Sequence, residues 1–362
     1  MLVPQKGSTL DAVATPVLIV DKDVMFRNIG TMMHRFKGSA VSVRPHMKTA
    51  KTPEIARLCL YAGAEGICVA KTAEAWVMAE SGITDILITS PVGHPTTAQW
   101  CAELMAKVSD VKIVVDSEAG ALMLSEALQT LSAKADVLID VNVGQNRTGV
   151  QPKRAVALAE FVASLGNLHI VGCQGYEGHL QFLPAEERTV KSTAAMEILL
   201  GAAESMRKNH DINIVTAGGT GTCRMCASVT GITEVQPGSF VFMDAKYREA
   251  LVDDAFGNAL QVMSTVVSKP LLDKATIDVG WKSISTEYGM PEPVLEECTY
   301  APAGDEHGIL SGAGAAGLAI GDRVMLIPSH IDTTVVLHEF YVVTQAKVVH
   351  EVWPIATRGA VQ

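Results

Sequence analysis

Short apolar runs rich in valine and isoleucine alternate with amphipathic segments through about residue 230, and this alternation constrains the fold most strongly. The runs are apolar almost throughout, which is typical of strands buried on both faces of a parallel sheet. Alternating strands and helices predict an α/β domain. The predicted strands are residues 17–21, 40–44, 66–70, 86–89, 112–116, 136–143, 169–173, 212–217 and 239–243.

Eight strand–helix units close a (β/α)8 barrel of roughly 250 residues. Because there are nine candidate strands, we expect the first or the last to belong elsewhere. A doubly wound open sheet is the alternative, but its glycine-rich loop follows the first strand. Here the glycine-rich stretch TAGGTGT follows the eighth candidate. We therefore predict a TIM-type barrel over residues 12–252.

The pattern changes after about residue 253. Segments 259–267, 276–279 and 339–350 are β-branched or alternating, and turn residues separate them. No helix of three turns is predicted in this region. The pattern indicates a second, mainly β domain over residues 253–362, together with residues 1–11.

Charge and cysteine content narrow the possible functions. The net charge is −10 and basic runs are absent, which argues against nucleic-acid and anionic-membrane partners. The seven cysteines are scattered and form no disulfide framework, which fits a reducing compartment. No signal peptide is visible, and no apolar run approaches the roughly 18 residues of a membrane span. We expect a soluble, cytoplasmic protein.

A lysine, Lys48, follows the second predicted strand within the stretch RPHMKT. In a barrel, side chains at the C-terminal ends of the strands point into the active-site mouth. An amine at the edge of an apolar wall can act as a nucleophile. The alternative is a solvated loop cation, as lysines usually are.

The stretch TAGGTGT, residues 216–222, joins a predicted strand to a helical segment. Glycines let backbone amides converge on an anion, and hydroxyl groups add further donors. In barrels a phosphate site often follows the seventh and eighth strands. No Gly-Lys-Ser/Thr follows, so this is not a Walker loop. A monophosphate is the predicted ligand, and an ordinary βα loop is the alternative.

Two further motifs carry candidate polar groups. Arg147, in NVGQNRTGV, follows a strand and could bond a ring nitrogen or a carboxylate in the mouth. His330 and Asp332, in PSHIDTT, are predicted to share one face of a strand and to converge on one cation. Mixed nitrogen and oxygen ligands favour Mn²⁺ or Mg²⁺. The alternatives are a surface arginine and a hydrogen-bonded His–Asp pair.

In this order, the motifs resemble those of the fold-type III, alanine racemase-like pyridoxal-phosphate enzymes. The most similar branch holds D-threonine aldolase, 3-hydroxy-D-aspartate aldolase and D-serine dehydratase. The resemblance extends from residue 14 to the strand after His330 and implies a barrel, a following β domain and a homodimer. It rests on RPHMKT, NVGQNRTGV, GYEGHLQ, TAGGTGT, VQPGSFVFMD and PSHIDTTVVLH.

The resemblance implies a role for each candidate. Lys48 would carry pyridoxal phosphate as a Schiff base, and Arg147 would face its pyridine nitrogen. His179 would transfer protons, and His330 with Asp332 would bind Mn²⁺, Mg²⁺ or another divalent cation. The remaining implied cofactor-binding residues are Gln174, Tyr176, Thr220, Gly221, Thr222, Gly238 and Ser239.

The resemblance also implies a reaction. Asp332 makes the last motif His-x-Asp, as in the aldolases, whereas the dehydratases have His-x-Cys. We therefore expect cleavage of β-hydroxy-D-amino acids, such as D-threonine to glycine and acetaldehyde. The chain departs from the family at Ala50, often histidine, and at Thr333, often proline. The open alternatives are a dehydratase, a racemase, a non-catalytic cofactor carrier and a barrel enzyme without this cofactor.

Overall fold

The computed structural model describes residues 2–251 and 256–362, which divide into two compact units. We name them the barrel unit and the β unit. The barrel unit comprises Met33–Lys48, Pro53–Gly238 and Ala360–Gln362. The β unit comprises the described residues of Met1–Met32, Thr49–Thr52 and Ser239–Gly359.

Eight parallel strands form the sheet of the barrel unit, in the order β2-β9-β8-β7-β6-β5-β4-β3. The ring closes between β2 and β3, because the Cys68 amide donates to the Pro45 carbonyl at 2.9 Å and the Met47 amide donates to the Cys68 carbonyl at 2.7 Å. The predicted (β/α)8 barrel is therefore confirmed. Its strands are β2 Ser42–Val43, β3 Ile67–Val69, β4 Ile86–Ile88, β5 Val111–Val115, β6 Ala135–Asp140, β7 Leu168–Gly175, β8 Ile214–Ala217 and β9 Glu234–Val235.

Helices connect these strands, and local capping fixes where they begin. Pro95 is the first residue of α4 and needs no hydrogen-bond acceptor there. The Ser117 hydroxyl caps α5 by accepting from the Gly120 amide. None of the helices in residues 2–251 and 256–362 is long and apolar enough to cross a membrane. The helices of this unit are α2 Pro53–Tyr61, α3 Thr72–Glu80, α4 Pro95–Lys107, α5 Glu118–Thr130, α6 Ala155–Ser164, α7 Ala185–Met206 and α8 Cys223–Ala227.

The barrel interior combines an apolar cluster with buried charges. Cys68, Leu87, Val114 and Leu138, from four neighbouring strands, pack together away from water. Such residues are what the continuous apolar runs predict. Arg44 of the RPHMKT motif is also buried.

The Arg44 guanidinium is fully committed to ion pairing. Its Nε donates to Glu234 at 2.8 Å, and its NH1 donates to Asp85 at 2.7 Å. A buried charge is tolerable only when it is paired in this way. Arg44 therefore stabilises the barrel.

The β unit contains a nine-stranded sheet, in which β1 pairs antiparallel with β10 and parallel with β16. The path runs β13-β14-β11-β10-β1-β16-β17, with β15 on β10 and β12 on β15. Its strands are β1 Val17–Asp21, β10 Leu260–Leu271, β11 Lys274–Ile277, β12 Glu292–Pro293, β13 Thr299–Pro302, β14 Gly308–Ser311, β15 Arg323–Ile327, β16 Phe340–Gln345 and β17 Val348–Pro354. Helix α1 Lys22–Phe36 begins here, and α9 Ala245–Ala250, α10 Ala313–Ala316 and α11 Ile331–Val335 are short.

Two strand predictions need correction. The first candidate, residues 17–21, is a strand of the β unit and not of the barrel. The ninth candidate, residues 239–243, is wrong, because Ser239–Val241 forms a 3-10 turn. Its aromatic residues are buried, and burial makes a turn as apolar as a strand. The eighth barrel strand is instead β9, whose two residues are too few to produce a periodic pattern.

The division between the units differs from the predicted one. The sequence assigned residues 12–252 to the barrel and residues 253–362, with 1–11, to the β domain. In the structure β1 lies in the β unit, because its backbone pairs with β10 and β16. The described residues of Ser239–Gly359 also belong to that unit. The predicted boundary itself, at residues 252 and 253, lies outside the described residues.

Candidate active site

The candidates of the barrel unit lie at or after the C-terminal ends of strands, and Gln174 is the second-last residue of β7. Lys48 follows β2, Arg147 follows β6 and Tyr176 follows β7 directly. The glycine-rich stretch at residues 218–222 follows β8, and Gly238 follows β9. In a closed parallel barrel these ends lie at one mouth. The fold therefore brings these residues to the same face of the barrel.

His46 holds the segment that carries Lys48. The Lys48 amide donates to His46 Nδ1 at 3.3 Å, and His46 Nε2 lies 3.0 Å from the Thr89 hydroxyl. Because Nδ1 accepts, Nε2 carries the proton and donates to Thr89. Thr89 follows β4, so this imidazole ties two strand ends together. The Lys48 side chain is half-buried.

Arg147 and His179 lie at the ends of β6 and β7. The Arg147 guanidinium lies 5.5 Å from the centre of the Tyr176 ring, within the range of a cation–π interaction. His179 lies in a 3-10 turn, Gly178–Leu180. Partial burial, followed by the positive charge of Lys191, lowers the pKa of His179. A larger fraction of this imidazole is therefore neutral at pH 7 and able to accept a proton.

The glycine-rich stretch forms a tight loop. Gly218 has φ +77°, a conformation that side chains disfavour. The Gly238 amide donates to the Thr220 hydroxyl at 3.2 Å, which joins the two stretches implied in phosphate binding. Helix α8 begins after Thr222 but is only five residues long. Its dipole is therefore a small part of any attraction for an anion.

Two buried residues that sequence analysis did not single out lie against this loop. The Thr222 hydroxyl donates to Glu177 Oε1 at 2.5 Å, and Gln181 Oε1 accepts from the Gly221 amide at 2.8 Å. Burial raises the pKa of Glu177. Both residues lie in the motif GYEGHLQ, but nothing local in the sequence tells a buried carboxyl from a solvated one.

A chain of hydrogen-bonded polar side chains links four neighbouring strands, β6 to β9, near the same strand ends. Gln236 donates to Gln174 at 3.1 Å and to the Thr216 hydroxyl at 2.9 Å. Gln174 in turn donates to Asp140 at 3.2 Å. Burial raises the pKa of Asp140 to about 6, against the opposing effect of its hydrogen bonds. Gln174 is thus oriented by its neighbours on both sides.

His330 and Asp332 lie in the β unit, and their predicted strand is wrong. His330 is the residue before helix α11, and Asp332 lies in the first turn of that helix. The Thr334 hydroxyl bonds the His330 carbonyl at 2.7 Å, a local bond that competes with strand pairing. Ser239, the other candidate in this unit, begins a 3-10 turn.

The orientation of His330 suits a metal ligand. Its Nδ1 lies 2.7 Å from a Glu287 carboxylate oxygen, and the centre of the Tyr288 ring lies 4.4 Å from that of the imidazole, with the two planes tilted by 35°. An ionised carboxylate only accepts, so Nδ1 carries the proton and Nε2 offers its lone pair. Within residues 2–251 and 256–362 no group of three His, Cys, Asp or Glu side chains is arranged for a metal ion.

The barrel residues fit pyridoxal phosphate. Lys48 supplies an amine at one strand end, and the glycine-rich loop supplies a compact turn at another. A Cβ atom would lie 2.7 Å from Gln181 at position 219 and 2.5 Å from the Gln181 carbonyl at position 221. The loop can therefore keep this shape only with glycine at position 221, and a side chain at position 219 would displace the Gln181 amide group.

A closed parallel barrel that presents a lysine and a glycine-rich loop at one mouth, followed by a β unit, defines an alanine racemase-like enzyme. The chain belongs to the family described as alanine racemase, N-terminal domain, which matches residues 20–246. A putative serine dehydratase domain matches residues 259–344. The predicted family and its cofactor, pyridoxal phosphate, are thereby confirmed.

Individual relatives are similar over almost the whole chain. A D-threonine aldolase of Arthrobacter sp. is 36% identical over 98% of this chain and 95% of its own. A 3-hydroxy-D-aspartate aldolase of Paracoccus denitrificans is 31% identical over 98% and 94%. The crystal structure of D-threonine aldolase from Filomicrobium marinum superposes with a TM-score of 0.95, at 34% identity over 99% of both chains.

Proposed function

We propose that the protein cleaves β-hydroxy-D-amino acids by retro-aldol chemistry, using pyridoxal phosphate and a divalent cation. D-Threonine would give glycine and acetaldehyde. The observation that carries the proposal is the similarity to D-threonine aldolase, which extends through both the barrel unit and the β unit. The His-x-Asp motif at residues 330–332 supports the same choice.

The barrel residues would bind and orient the cofactor. Lys48 would hold its aldehyde carbon, and Arg147 and Tyr176 would lie beside its ring with Gln174. When bound, the cofactor supplies an electron sink for the pair released as the Cα–Cβ bond breaks. Thr220 would bind its phosphate, and Gly221 and Thr222 would shape the loop beside it. The phosphate-binding roles of Gly238 and Ser239 are predictions from the family resemblance.

His179 would accept the substrate hydroxyl proton, directly or through water. Its lowered pKa favours the neutral imidazole that this step requires. His330 Nε2 and the Asp332 carboxylate would hold Mn²⁺ or Mg²⁺, whose chemistry would be that of a Lewis acid. Glu287 would keep His330 in the tautomer that binds the cation.

The direct test is incubation with D-threonine, L-threonine and 3-hydroxy-D-aspartate, with and without Mn²⁺. We expect glycine and an aldehyde from D-substrates only, and only with the metal. Aldehyde and 2-oxo-acid assays distinguish the reactions. Interconversion of enantiomers without metal would indicate a racemase, and unchanged substrate despite bound cofactor would indicate a carrier.

A dehydratase is the second candidate. The observation in its favour is the putative serine dehydratase domain that matches residues 259–344. It would form a 2-oxo acid and ammonia from the same substrates, by loss of the β-hydroxyl group. Ammonia and 2-oxo acid without glycine would establish it and would contradict retro-aldol cleavage.

We also propose a homodimer located in the cytoplasm. The homodimer rests on the family resemblance. The cytoplasmic location rests on the seven cysteines, which are scattered through the chain and suit a reducing compartment. Light scattering of the purified protein measures the oligomeric state.

A further inference from the structure

Two side chains, those of Glu177 and Gln181, form hydrogen bonds to the glycine-rich loop at residues 218–222. Both residues belong to the segment that follows β7. Glu177 follows β7 by two residues, and Gln181 follows the 3-10 turn Gly178–Leu180. Both are almost completely buried in the barrel unit. A buried carboxyl and a buried amide are costly unless hydrogen bonds satisfy them. Their bonding partners therefore show what they do.

Glu177 bonds both ends of the loop. Its Oε2 accepts from the Gly218 amide at 3.4 Å, and its Oε1 accepts from the Thr222 hydroxyl at 2.5 Å. Gly218 is the residue with φ +77°. One carboxyl group therefore fixes the separation between the first and the last residue of the loop.

Gln181 bonds the inside of the same turn. Its Oε1 accepts from the Gly221 amide at 2.8 Å, and its Nε2 donates to the Thr222 hydroxyl at 2.8 Å. The Arg188 guanidinium donates to the Gln181 carbonyl at 3.0 Å and holds that residue in place. The close approach of the Gln181 carbonyl is also the reason that position 221 must be glycine.

The Thr222 hydroxyl has no capacity left for a ligand. It donates its only proton to Glu177 and accepts from Gln181 and from the Gly219 amide at 3.0 Å. A hydroxyl group has one donor and two acceptor positions, and all three are used. Thr222 therefore shapes the loop with its side chain, and this shape exists before any ligand arrives.

We propose that Glu177 and Gln181 are positioning residues that hold the loop in the shape that receives a phosphate monoester. The inference rests on the proposed function, because it assigns the cofactor phosphate to this loop. It predicts that the phosphate's contribution to cofactor affinity depends on two residues that do not touch the cofactor. Removing either one relaxes the loop and leaves the Lys48 end of the site intact.

The test compares pyridoxal phosphate with pyridoxal, which lacks the phosphate. Each aldehyde is titrated into wild-type, Glu177→Gln and Gln181→Met protein, and binding is followed by absorbance at about 420 nm. We expect each variant to lose roughly ten- to a hundredfold in affinity for pyridoxal phosphate, as for a lost bond to a charged group. Affinity for pyridoxal should stay unchanged. If one variant does not fold, the other carries the test.

Glu74→Gln is the matched control. Glu74 is a buried glutamate of the same unit, and it accepts from the Ala70 amide at 2.8 Å and from the Lys71 amide at 3.2 Å. This variant should keep the wild-type ratio of the two affinities. Wild-type affinity for pyridoxal phosphate in both loop variants, or an equal loss for both aldehydes, would overturn the inference. If wild-type protein binds neither aldehyde, the proposed function fails and the inference fails with it.

Discussion

Two lysines three positions apart allow the cofactor anchor to be tested residue by residue. Lys48→Arg keeps the positive charge but removes the amine, so we expect loss of the band at about 420 nm and of its reduction by borohydride. Lys51→Arg, the control, should keep both, because Lys51 follows the RPHMKT motif and has no assigned role. A reducible band that persists in Lys48→Arg would contradict the assignment.

Substitutions can also distinguish the role of the metal ligands from that of the cofactor anchor, Lys48. His330→Ala or Asp332→Ala should leave the band unchanged and abolish Mn²⁺-dependent cleavage. Glu287→Gln should raise the Mn²⁺ concentration needed by roughly ten- to a hundredfold, because it no longer fixes the His330 tautomer. Activity is measured against Mn²⁺ after treatment with EDTA. Wild-type activity that EDTA does not reduce would refute the metal site.

The role of a single residue could be predicted from the sequence when that role depends on neighbours close in the chain. Lys48 and the glycines of residues 218–222 are recognisable because they follow strands in a fixed order. Glu177 and Glu287 were missed, because their importance comes from Thr222 and His330, each more than forty positions away in the chain. A carboxyl group becomes structurally important through its partner, and the partner is known only after folding.

At the scale of elements, strands β7 and β8 make an unusually close contact. A Cβ atom at Gly172 would lie 2.2 Å from the Ile214 carbonyl oxygen, which belongs to the paired backbone of β8. Gly172→Ala should therefore force the strands apart and cost about 1–3 kcal/mol or more in the free energy of unfolding. Urea denaturation measures this loss.

Gly201→Ala is the control for that experiment. Gly201 lies in helix α7, with no heavy atom within 4 Å of an added Cβ. Alanine is the better helix former there, so this variant should gain about 0.5–1 kcal/mol. Equal effects of the two substitutions would show that β7 and β8 tolerate the added atom.

The elements were predictable where apolar runs were long enough. Strands β4, β5 and β6 coincide with such runs, since a parallel strand is covered on both faces. Strand β9 was missed because it is only two residues long, and the buried 3-10 turn Ser239–Val241 was mistaken for a strand. Apolar composition reports burial, and it does not by itself specify backbone conformation.

At the scale of the whole molecule, buried carboxyl groups make stability depend on pH. Burial raises the pKa of Asp140 from 3.8 to about 6, so the folded protein binds this proton more tightly than the unfolded chain. The resulting stabilisation is complete below about pH 4 and is lost as pH rises to about 6. Asp140→Asn should therefore become more stable relative to wild type over this range.

The expected gain between pH 4 and pH 7 is on the order of 3 kcal/mol, from a shift of about two pKa units. Urea midpoints of wild type and Asp140→Asn, measured from pH 4 to pH 7 in the same cofactor state, give the comparison. A stability difference that stays constant with pH would contradict it.

The organisation of the whole chain was the hardest feature to predict. The alternation of apolar runs with amphipathic segments predicts the barrel. It does not predict that β1 belongs to the other sheet, because its partners β10 and β16 lie far along the sequence. The run VLIVD satisfies the pattern of a barrel strand as well as that of its actual sheet. Pairing of distant strands depends on surfaces that no local pattern encodes.

The distant partners of β1 have a consequence for biosynthesis. The ribosome produces β1 before β10, which follows about 240 residues later. At about 5–20 residues per second, roughly 12–50 s pass before the first partner emerges. During that time the nascent chain carries the apolar run VLIV without its sheet, while the strands of the barrel are completed after it. This segment is therefore where a holding chaperone would bind the growing chain.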